Sequence, residues 1–172
     1  MQYKELHEKY VSLLKLQTEK QLLLSSLPSG YISKKRISSK SYSYLQKRTN
    51  GKVTSVYVKD CDLKSMEHDL SLRAEIEGEL QSIVDEINKL EDAARLISKK
   101  THQTMMVSKR CVKMDALPKA RRQASLSFAG AMTALEGVPA SGSVDEQLGK
   151  WALGEQSFSK SYKSTLKKYN LE

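Results

Sequence analysis

The 172-residue chain has few of the residues that build disulfide-rich, aromatic-rich or membrane-spanning proteins. It contains two cysteines, three prolines and one tryptophan, and aromatic side chains make up only 6% of it. Two cysteines cannot form the disulfide framework of a small secreted domain. No apolar run approaches the ~20 residues that a membrane-spanning helix needs, and the N-terminus lacks the apolar core of a signal peptide. These absences favour a soluble cytoplasmic protein that does not enter a membrane.

Signals for catalysis and for metal binding are also scarce. The three histidines, His7, His68 and His102, are scattered, and none has metal-ligand spacing to a cysteine. The sequence contains no phosphate-binding glycine loop and no serine in a nucleophile elbow. We therefore expect neither an enzyme nor a bound metal or cofactor.

Charge, by contrast, is abundant and segregated along the chain. The 29 basic and 20 acidic residues leave a net charge of +9. Residues 31–59 contain eight bases and no acid, residues 60–92 contain eleven acids and three bases, and residues 93–122 contain nine bases and one acid. Segments polarised to this degree usually differ in role as well as in structure.

The acid-free segment 31–59 is rich in residues that favour β-strands. Asn50-Gly51 is a strong hairpin signal, because both residues tolerate the positive φ angles of a type I′ turn. The pattern predicts a three-stranded antiparallel meander with strands at 31–37, 40–48 and 52–59.

Helical patterns lie on both sides of this meander. Residues 3–25 carry their leucines largely on one face, and Pro28 ends that helix. From Asp62 to Lys99 apolar residues keep a heptad spacing, which predicts a long helix. We expect this helix to pack antiparallel against the first helix, and the two helices and the meander to form one domain at residues 1–100. The same heptad also suits a self-associating coiled-coil adaptor, so the oligomeric state stays open. The heptad positions are Ile76, Leu80, Ile83, Ile87, Leu90, Ala94 and Ile97.

The rest of the chain predicts a linker followed by a small helical module. Residues 101–117 show no clear period, and we interpret them as the linker. Pro118 suits the first turn of a helix that ends at Glu136-Gly137. Residues 118–172 would then form three helices, which makes the whole chain a mostly helical α+β protein.

Two further signals define the short helices of that module. After a loop that begins at Pro139, the string Ser143-Val144-Asp145-Glu146 has the pattern of a capping box, and Gly154 suits the end of the helix that follows. Ser157 or Ser159 is expected to cap the last helix.

The basic meander has two interpretations. Its cations and tyrosines can contact a phosphate backbone and stack on bases, or they can form a solvated face that the acidic helix neutralises. The candidate nucleic-acid-binding residues are Lys34, Lys35, Arg36, Lys40, Tyr42, Tyr44, Lys47, Arg48 and Lys52.

The C-terminal third contains the most specific local pattern. The stretch from Ser127 to Gly137 contains Leu135-Glu136-Gly137, and Gly154-Glu155-Gln156-Ser157 follows after a short loop. Together these residues resemble the VbhA family of antitoxins, which are small three-helix proteins that bind and inhibit Fic toxins. The resemblance covers residues 120–171, and it implies a Fic-domain toxin as the partner.

The resemblance also implies a mechanism. The family's inhibitory helix carries Ser or Thr, three further residues, and then Glu followed by Gly or Asn. Glu136 and Gly137 match the end of that motif, whereas Met132 occupies the Ser/Thr position and Thr133 follows it. Fic proteins hold the γ-phosphate of ATP with an arginine while they transfer AMP, and Glu136 is expected to pair with that arginine. The implied inhibitory residues are Leu135, Met132, Thr133, Glu136 and Gly137, and the implied toxin-docking residues are Phe128, Trp151 and Tyr162.

The N-terminal part resembles a recurring, uncharacterised bacterial and phage pattern. The resemblance lies in Leu27-Pro28-Ser29-Gly30-Tyr31, Tyr42-Ser43-Tyr44 and Tyr57-Val58-Lys59, and it implies no activity. Antitoxins often join a toxin-neutralising segment to a DNA-binding segment. The alternative function is therefore a nucleic-acid-binding accessory protein of a phage or mobile element, which acts through the basic meander.

Overall fold

The computed structural model describes residues 3–137 and 141–169. The predicted mostly helical α+β class, with a three-stranded antiparallel meander, is confirmed. None of the described helices combines the length and the apolar composition that crossing a bilayer requires. The elements are α1 (Tyr3–Ser26), β1 (Tyr31–Ile37), β2 (Lys40–Thr49), β3 (Lys52–Val58), α2 (Asp60–Ile97), α3 (Lys99–Asp115), α4 (Lys119–Leu135), α5 (Gly142–Leu153) and α6 (Phe158–Lys168).

The sheet follows the local turn chemistry closely. Its strands lie in the order β1-β2-β3, and both pairs are antiparallel. Asn50 and Gly51 have φ angles of 50° and 78°, as the predicted type I′ hairpin requires. The other hairpin uses Ser38 with a φ of 56°, an uncommon conformation for a residue with a Cβ. Each predicted strand end lies within one residue of the observed one.

The chain divides into two compact units, and the division differs from the predicted domains. One unit is Leu16–Ile87, which we call the sheet unit. The other, the helical unit, combines Met1–Lys15 with Asn88–Glu172. The compact units do not follow the predicted boundaries at residues 100 and 118, because α1 and α2 each contribute residues to both units.

In the sheet unit the heptad positions of α2 form the apolar core. Ile76, Ile83 and Ile87 are buried, as is Val58 at the end of β3. Ala94, which belongs to the helical unit, is also buried, but Ile97 is 57% exposed. The heptad prediction therefore holds until the last turn of α2, where the chain leaves the helix at an extended Ser98.

Charged side chains align the second half of α1 with the first half of α2 inside the sheet unit. Arg73 donates from Nη1 to the carbonyl oxygens of Leu24 and Leu27, at 3.1 and 3.2 Å. The last carbonyls of a helix have no partner within the helix, so a guanidinium placed there satisfies them and offsets the negative end of the helix dipole. Lys20 and Glu79 form an ion pair at 2.5 Å. These contacts give the predicted antiparallel pairing of the two helices.

The predicted linker at 101–117 is wrong, because α3 occupies these residues. The side chain of Ser98 caps this helix by accepting from the Thr101 N–H. Thr101, Met105 and Cys111 are buried on one side of it. Thr101 is polar although it lies on the buried side of α3. It interrupts the regular spacing of apolar residues, so the hydrophobic pattern of the sequence did not indicate a helix here.

A buried polar triad connects α1, α2 and α3 within the helical unit. Tyr10 is fully buried and donates from its hydroxyl to Glu91 Oε1 at 2.8 Å. Lys109 donates to the same oxygen at 2.7 Å. Burial opposes ionisation of Glu91, but the hydrogen bonds from Lys109 and Tyr10 outweigh it and hold the pKa of Glu91 below its ordinary value. Burial and the neighbouring carboxylate raise the pKa of Tyr10.

Replacing Glu91 with glutamine should lower the free energy of unfolding at pH 7. The change removes the charge that pairs with Lys109, and we expect a loss of about 1–3 kcal/mol. Urea unfolding followed by circular dichroism measures this loss. The matched control is Asp92→Asn, because that side chain is 71% exposed and its neutralisation should cost less than about 0.5 kcal/mol.

The same variant should also change the dependence of stability on acid. Because the folded pKa of Glu91 is depressed, its contribution is fully present above the ordinary value of 4.5 and is lost as pH falls through the folded pKa. The difference in stability between the parent and Glu91→Gln should therefore narrow as pH decreases below about 4.5. A difference that stays constant until the protein unfolds would contradict the triad's ionic character.

Candidate functional site

The three helices predicted for the C-terminal part are present as α4, α5 and α6. Gly154 ends α5 with a φ of 81°, and Ser157 caps α6 by accepting from the Lys160 N–H, both as expected. The predicted capping box is wrong, because Ser141 is the N-cap of α5 and Ser143 already lies inside the helix. Part of the loop expected from Pro139 lies outside the described residues.

Trp151 forms the core of this module. It is 2% exposed, and its ring meets Phe158 edge-on with centroids 5.0 Å apart. Burying a large aromatic side chain is the main stabilising contribution available to a module this small. Trp151 was expected among the toxin-docking residues, but the structure makes it a packing residue that offers no surface to a partner.

Arg122 joins the start of α4 to its neighbours. Its guanidinium stacks 5.8 Å from the centre of the Trp151 ring and donates to the carbonyl oxygens of Leu117 at 2.8 Å and Trp151 at 3.2 Å. It also donates to the carbonyl oxygen of Asp115. Three main-chain acceptors from the end of α3, the α3–α4 turn and the end of α5 thus share one cation, which fixes the N-terminal turn of α4.

The last helix is fixed to α3 in a similar way. The Asp115 carboxylate accepts from the Phe158 N–H at 2.6 Å, at the first turn of α6, where a negative charge also suits the helix dipole. Tyr162 is half-buried, and with His7, Cys111 and other side chains it lines an open groove of about 500 Å³ between α1, α3 and α6. No residue of α4 lines this groove, so Tyr162 does not share it with Phe128.

The second half of α4 exposes apolar side chains. None of the seventeen residues of α4 is buried, and Phe128, Met132 and Leu135 are 69%, 42% and 82% exposed. Positions i, i+4 and i+7 lie on one face of a helix, so the three side chains form a continuous apolar stripe. The half-buried residues of α4 include Leu126 and Thr133, which lie roughly 130–150° around the helix from the centre of this stripe.

Glu136 lies at the end of the stripe. It is the C-cap residue of α4, its N–H donates to the Met132 carbonyl, and its side chain is exposed. Among residues 3–137 and 141–169, no basic side chain forms an ion pair with it. A carboxylate at the negative end of a helix dipole is mildly unfavourable, so the charge of the Glu136 side chain does not stabilise α4.

The residues around Glu136 complete the motif. Gly137 has a φ of 72°, and a Cβ added there would meet no neighbouring atom. Glycine is therefore favoured at this position by the left-handed backbone conformation and not by a lack of space. Thr133 donates from its hydroxyl to the Gly130 carbonyl at 3.1 Å and is half-buried. In the antitoxin motif a Ser or Thr hydroxyl stands where this chain has Met132. The hydroxyl of Thr133 does not substitute for it, because it is hydrogen-bonded to the main chain of α4 on another side of the helix.

The basic residues predicted for nucleic-acid binding lie on both faces of the sheet. Strand register places Tyr44 opposite Tyr57 and Lys35 opposite Tyr42 on one face, while Lys34 lies opposite Ser43 on the other. Tyr57 was missed, because only the register shows that it joins the other tyrosines. Alternation adds Lys40 and Arg48 to the tyrosine-bearing face and Arg36, Lys47 and Lys52 to the opposite face.

Neutralisation of the sheet by the acidic helix is not observed. In the described part of the chain, none of the eight bases of residues 31–59 forms an ion pair with a carboxylate. Nor do the described residues contain a group of three or more His, Cys, Asp or Glu that could hold a metal ion.

Removing the Arg122 guanidinium should loosen α4. We expect Arg122→Met to lower the free energy of unfolding by about 2–3 kcal/mol, because the variant leaves several carbonyl groups without their donor. Arg121→Met is the matched control, since Arg121 is an exposed neighbour on the same helix and should change stability by less than about 0.5 kcal/mol. Thermal unfolding followed by tryptophan fluorescence checks both, and equal effects would contradict the role assigned to Arg122.

In the comparison with known proteins, a match is found for the N-terminal part of the chain. No curated protein and no solved structure shows a significant match. Residues 2–67 match a family model described as a domain of unknown function (DUF6788). The matched range contains α1, the whole sheet and the first turns of α2, so this part of the chain resembles an uncharacterised domain.

Proposed function

We propose that the chain is an antitoxin that binds a Fic-type adenylyltransferase through α4 and inhibits it with Glu136. The protein itself catalyses nothing in this scheme. Because the toxin consumes ATP, the pair is expected to act in the cytoplasm. The apolar stripe of Phe128, Met132 and Leu135 is the observation that carries the proposal.

The stripe has the geometry of a helix that docks in a groove. Such helices present anchors at i, i+4 and i+7 to an apolar channel of the partner. Keeping these side chains in water is unfavourable, and burying each against a partner would contribute roughly 1.5–3 kcal/mol. The three side chains of the stripe are exposed in the free protein, so this face of α4 is accessible for docking.

Glu136 suits the inhibitory role that the resemblance to VbhA antitoxins implies. It follows the stripe directly, it is exposed, and no basic residue in the described ranges pairs with it. A carboxylate can form a bidentate, charge-assisted contact with an arginine. If that arginine is the one that holds the γ-phosphate, ATP loses its productive position, and positioning supplies most of the catalysis in phosphoryl-group chemistry.

Met132 changes one contact of the family pattern. The antitoxins have a hydroxyl four residues before the glutamate, whereas this chain has a thioether that is 42% exposed. Methionine adapts its shape to irregular apolar surfaces. The proposed complex therefore has a longer apolar contact in place of one hydrogen bond.

Glu136→Gln should separate binding from inhibition. The chain is co-expressed with the Fic protein encoded beside it, and AMP transfer and co-purification are both measured. We expect the variant to co-purify like the parent but to permit at least about tenfold more AMP transfer, since glutamine cannot supply the ionic contact. Glu75→Gln is the matched control, because Glu75 is also an exposed glutamate and lies outside the region that resembles the antitoxins.

Inhibition by Glu136→Gln as strong as that by the parent would contradict the mechanism. A chain that co-purifies with no Fic protein would contradict the function itself.

Replacing the stripe should weaken the complex. We expect Phe128→Ser and Leu135→Ser each to reduce affinity about tenfold or more, because the buried apolar area is lost. Both residues are exposed in the free protein, so stability should barely change. Leu153→Ser on α5 is the control, since Leu153 is likewise 50% exposed and lies outside the stripe. Isothermal titration calorimetry gives the affinities, and equal losses for all three variants would rule out docking through α4.

A further inference from the structure

One face of the sheet combines aromatic rings with cations from all three strands. The strand register places the tyrosines side by side, with Tyr44 opposite Tyr57 and Lys35 opposite Tyr42. We call this surface the tyrosine face. Its tyrosines are Tyr31, Tyr42, Tyr44 and Tyr57, and its cations are Lys35, Lys40 and Arg48.

The rings of the tyrosine face form one cluster. The Tyr57 ring lies 5.8 Å from that of Tyr44 and 6.1 Å from that of Tyr42, centre to centre. Lys35 Nζ lies 5.2 Å from the centre of the Tyr44 ring. Tyr57 is 49% exposed and the other two rings are half-buried. The cluster is thus ordered by its own contacts and still presents ring surface to solvent.

A polar row borders the cluster on the same face. Tyr31 donates from its hydroxyl to Gln46 Oε1 at 2.7 Å, and Gln46 donates from Nε2 to Ser55 Oγ at 3.2 Å. These bonds cross from β1 to β3. The tyrosines therefore project from three paired strands that side-chain hydrogen bonds also connect, rather than from a loop.

The charge of this surface is uncompensated. Residues 31–59 contain no acid, and in the described residues no carboxylate forms an ion pair with Lys35, Lys40 or Arg48. Positions 40 and 48 lie near opposite ends of β2 and are separated by about 27 Å at the usual rise per residue. The cations therefore lie on both sides of the tyrosine cluster.

We propose that the tyrosine face binds a single-stranded nucleic acid. Bases stack on exposed aromatic rings, and lysine and arginine contact the phosphates on either side. A duplex hides the faces of its bases within the helical stack, so it cannot use the rings. An acidic protein would pair with the cations but would leave the tyrosine rings without stacked partners. This surface lies wholly within the sheet unit and does not involve Glu136.

Neighbouring lysines and arginines on opposite faces give a matched test of this proposal. Lys35 and Arg48 lie on the tyrosine face, whereas Lys34 and Lys47 lie on the other, so two double serine variants remove the same charge from different faces. Binding of the full chain to a fluorescein-labelled oligothymidylate of about 15 nucleotides is measured by anisotropy. We expect the Lys35/Arg48 variant to bind at least about tenfold more weakly, and the Lys34/Lys47 variant to change affinity less than about threefold.

The aromatic contribution is tested separately. Tyr57→Ala should weaken binding about tenfold and Tyr57→Phe less than about twofold, because stacking needs the ring and not the hydroxyl. Glu136→Gln should leave the affinity unchanged, which separates this result from that of the antitoxin proposal.

Several outcomes would overturn the proposal. One is equal loss in the two double variants, which would show that only net charge matters. Others are binding of a duplex of the same length as tightly as the single strand, displacement by polyglutamate but not by unlabelled oligonucleotide, and absence of binding at low salt.

Discussion

The contacts of Arg122 determine how the C-terminal helices are arranged. A single guanidinium donates to carbonyl groups at the end of α3, in the following turn and at the end of α5, and it stacks on the only tryptophan. A lysine could not do this, because its ammonium lacks the planar, divergent donors of arginine. The start of α4 is thereby fixed while its second half is left without a buried residue. The stripe and Glu136 remain exposed on that second half.

The acidic and basic segments of the chain have different structural roles. Acids of α2 serve the packing of helices: Glu79 pairs with Lys20, and Glu91 accepts from Lys109 and Tyr10. The bases of the sheet have no such role within the described residues. The acidic helix therefore forms no ion pair with the sheet in the described residues, and the bases of residues 31–59 keep their positive charge. A surface of this kind attracts anions over a distance comparable with the Debye length, about 8 Å at physiological salt.

Local sequence signals predicted most of the helices and strands. Which side chains are buried, and which ones share a face of the sheet, depends on tertiary contacts that the sequence alone does not show. The sheet followed from Asn50-Gly51, because a turn with two positive φ angles determines the register on both sides of it. The helix α3 was missed, since Thr101 contributes a polar residue to its buried side. Trp151 was misplaced because an aromatic residue suits a core and a docking surface equally well. Tyr57 was missed for a different reason, since a face of a sheet is defined only once its strands are paired.

The burial of Trp151 gives the protein an internal optical probe. It is the only tryptophan in the chain, and it is 2% exposed on α5, beside Phe158 at the start of α6. Four of the eight tyrosines, in contrast, lie in the sheet. Excitation at the red edge of the absorption band therefore reports on the core of the helical unit alone, whereas the tyrosine signal includes the sheet. The core of the helical unit can accordingly be followed on its own, without any added label.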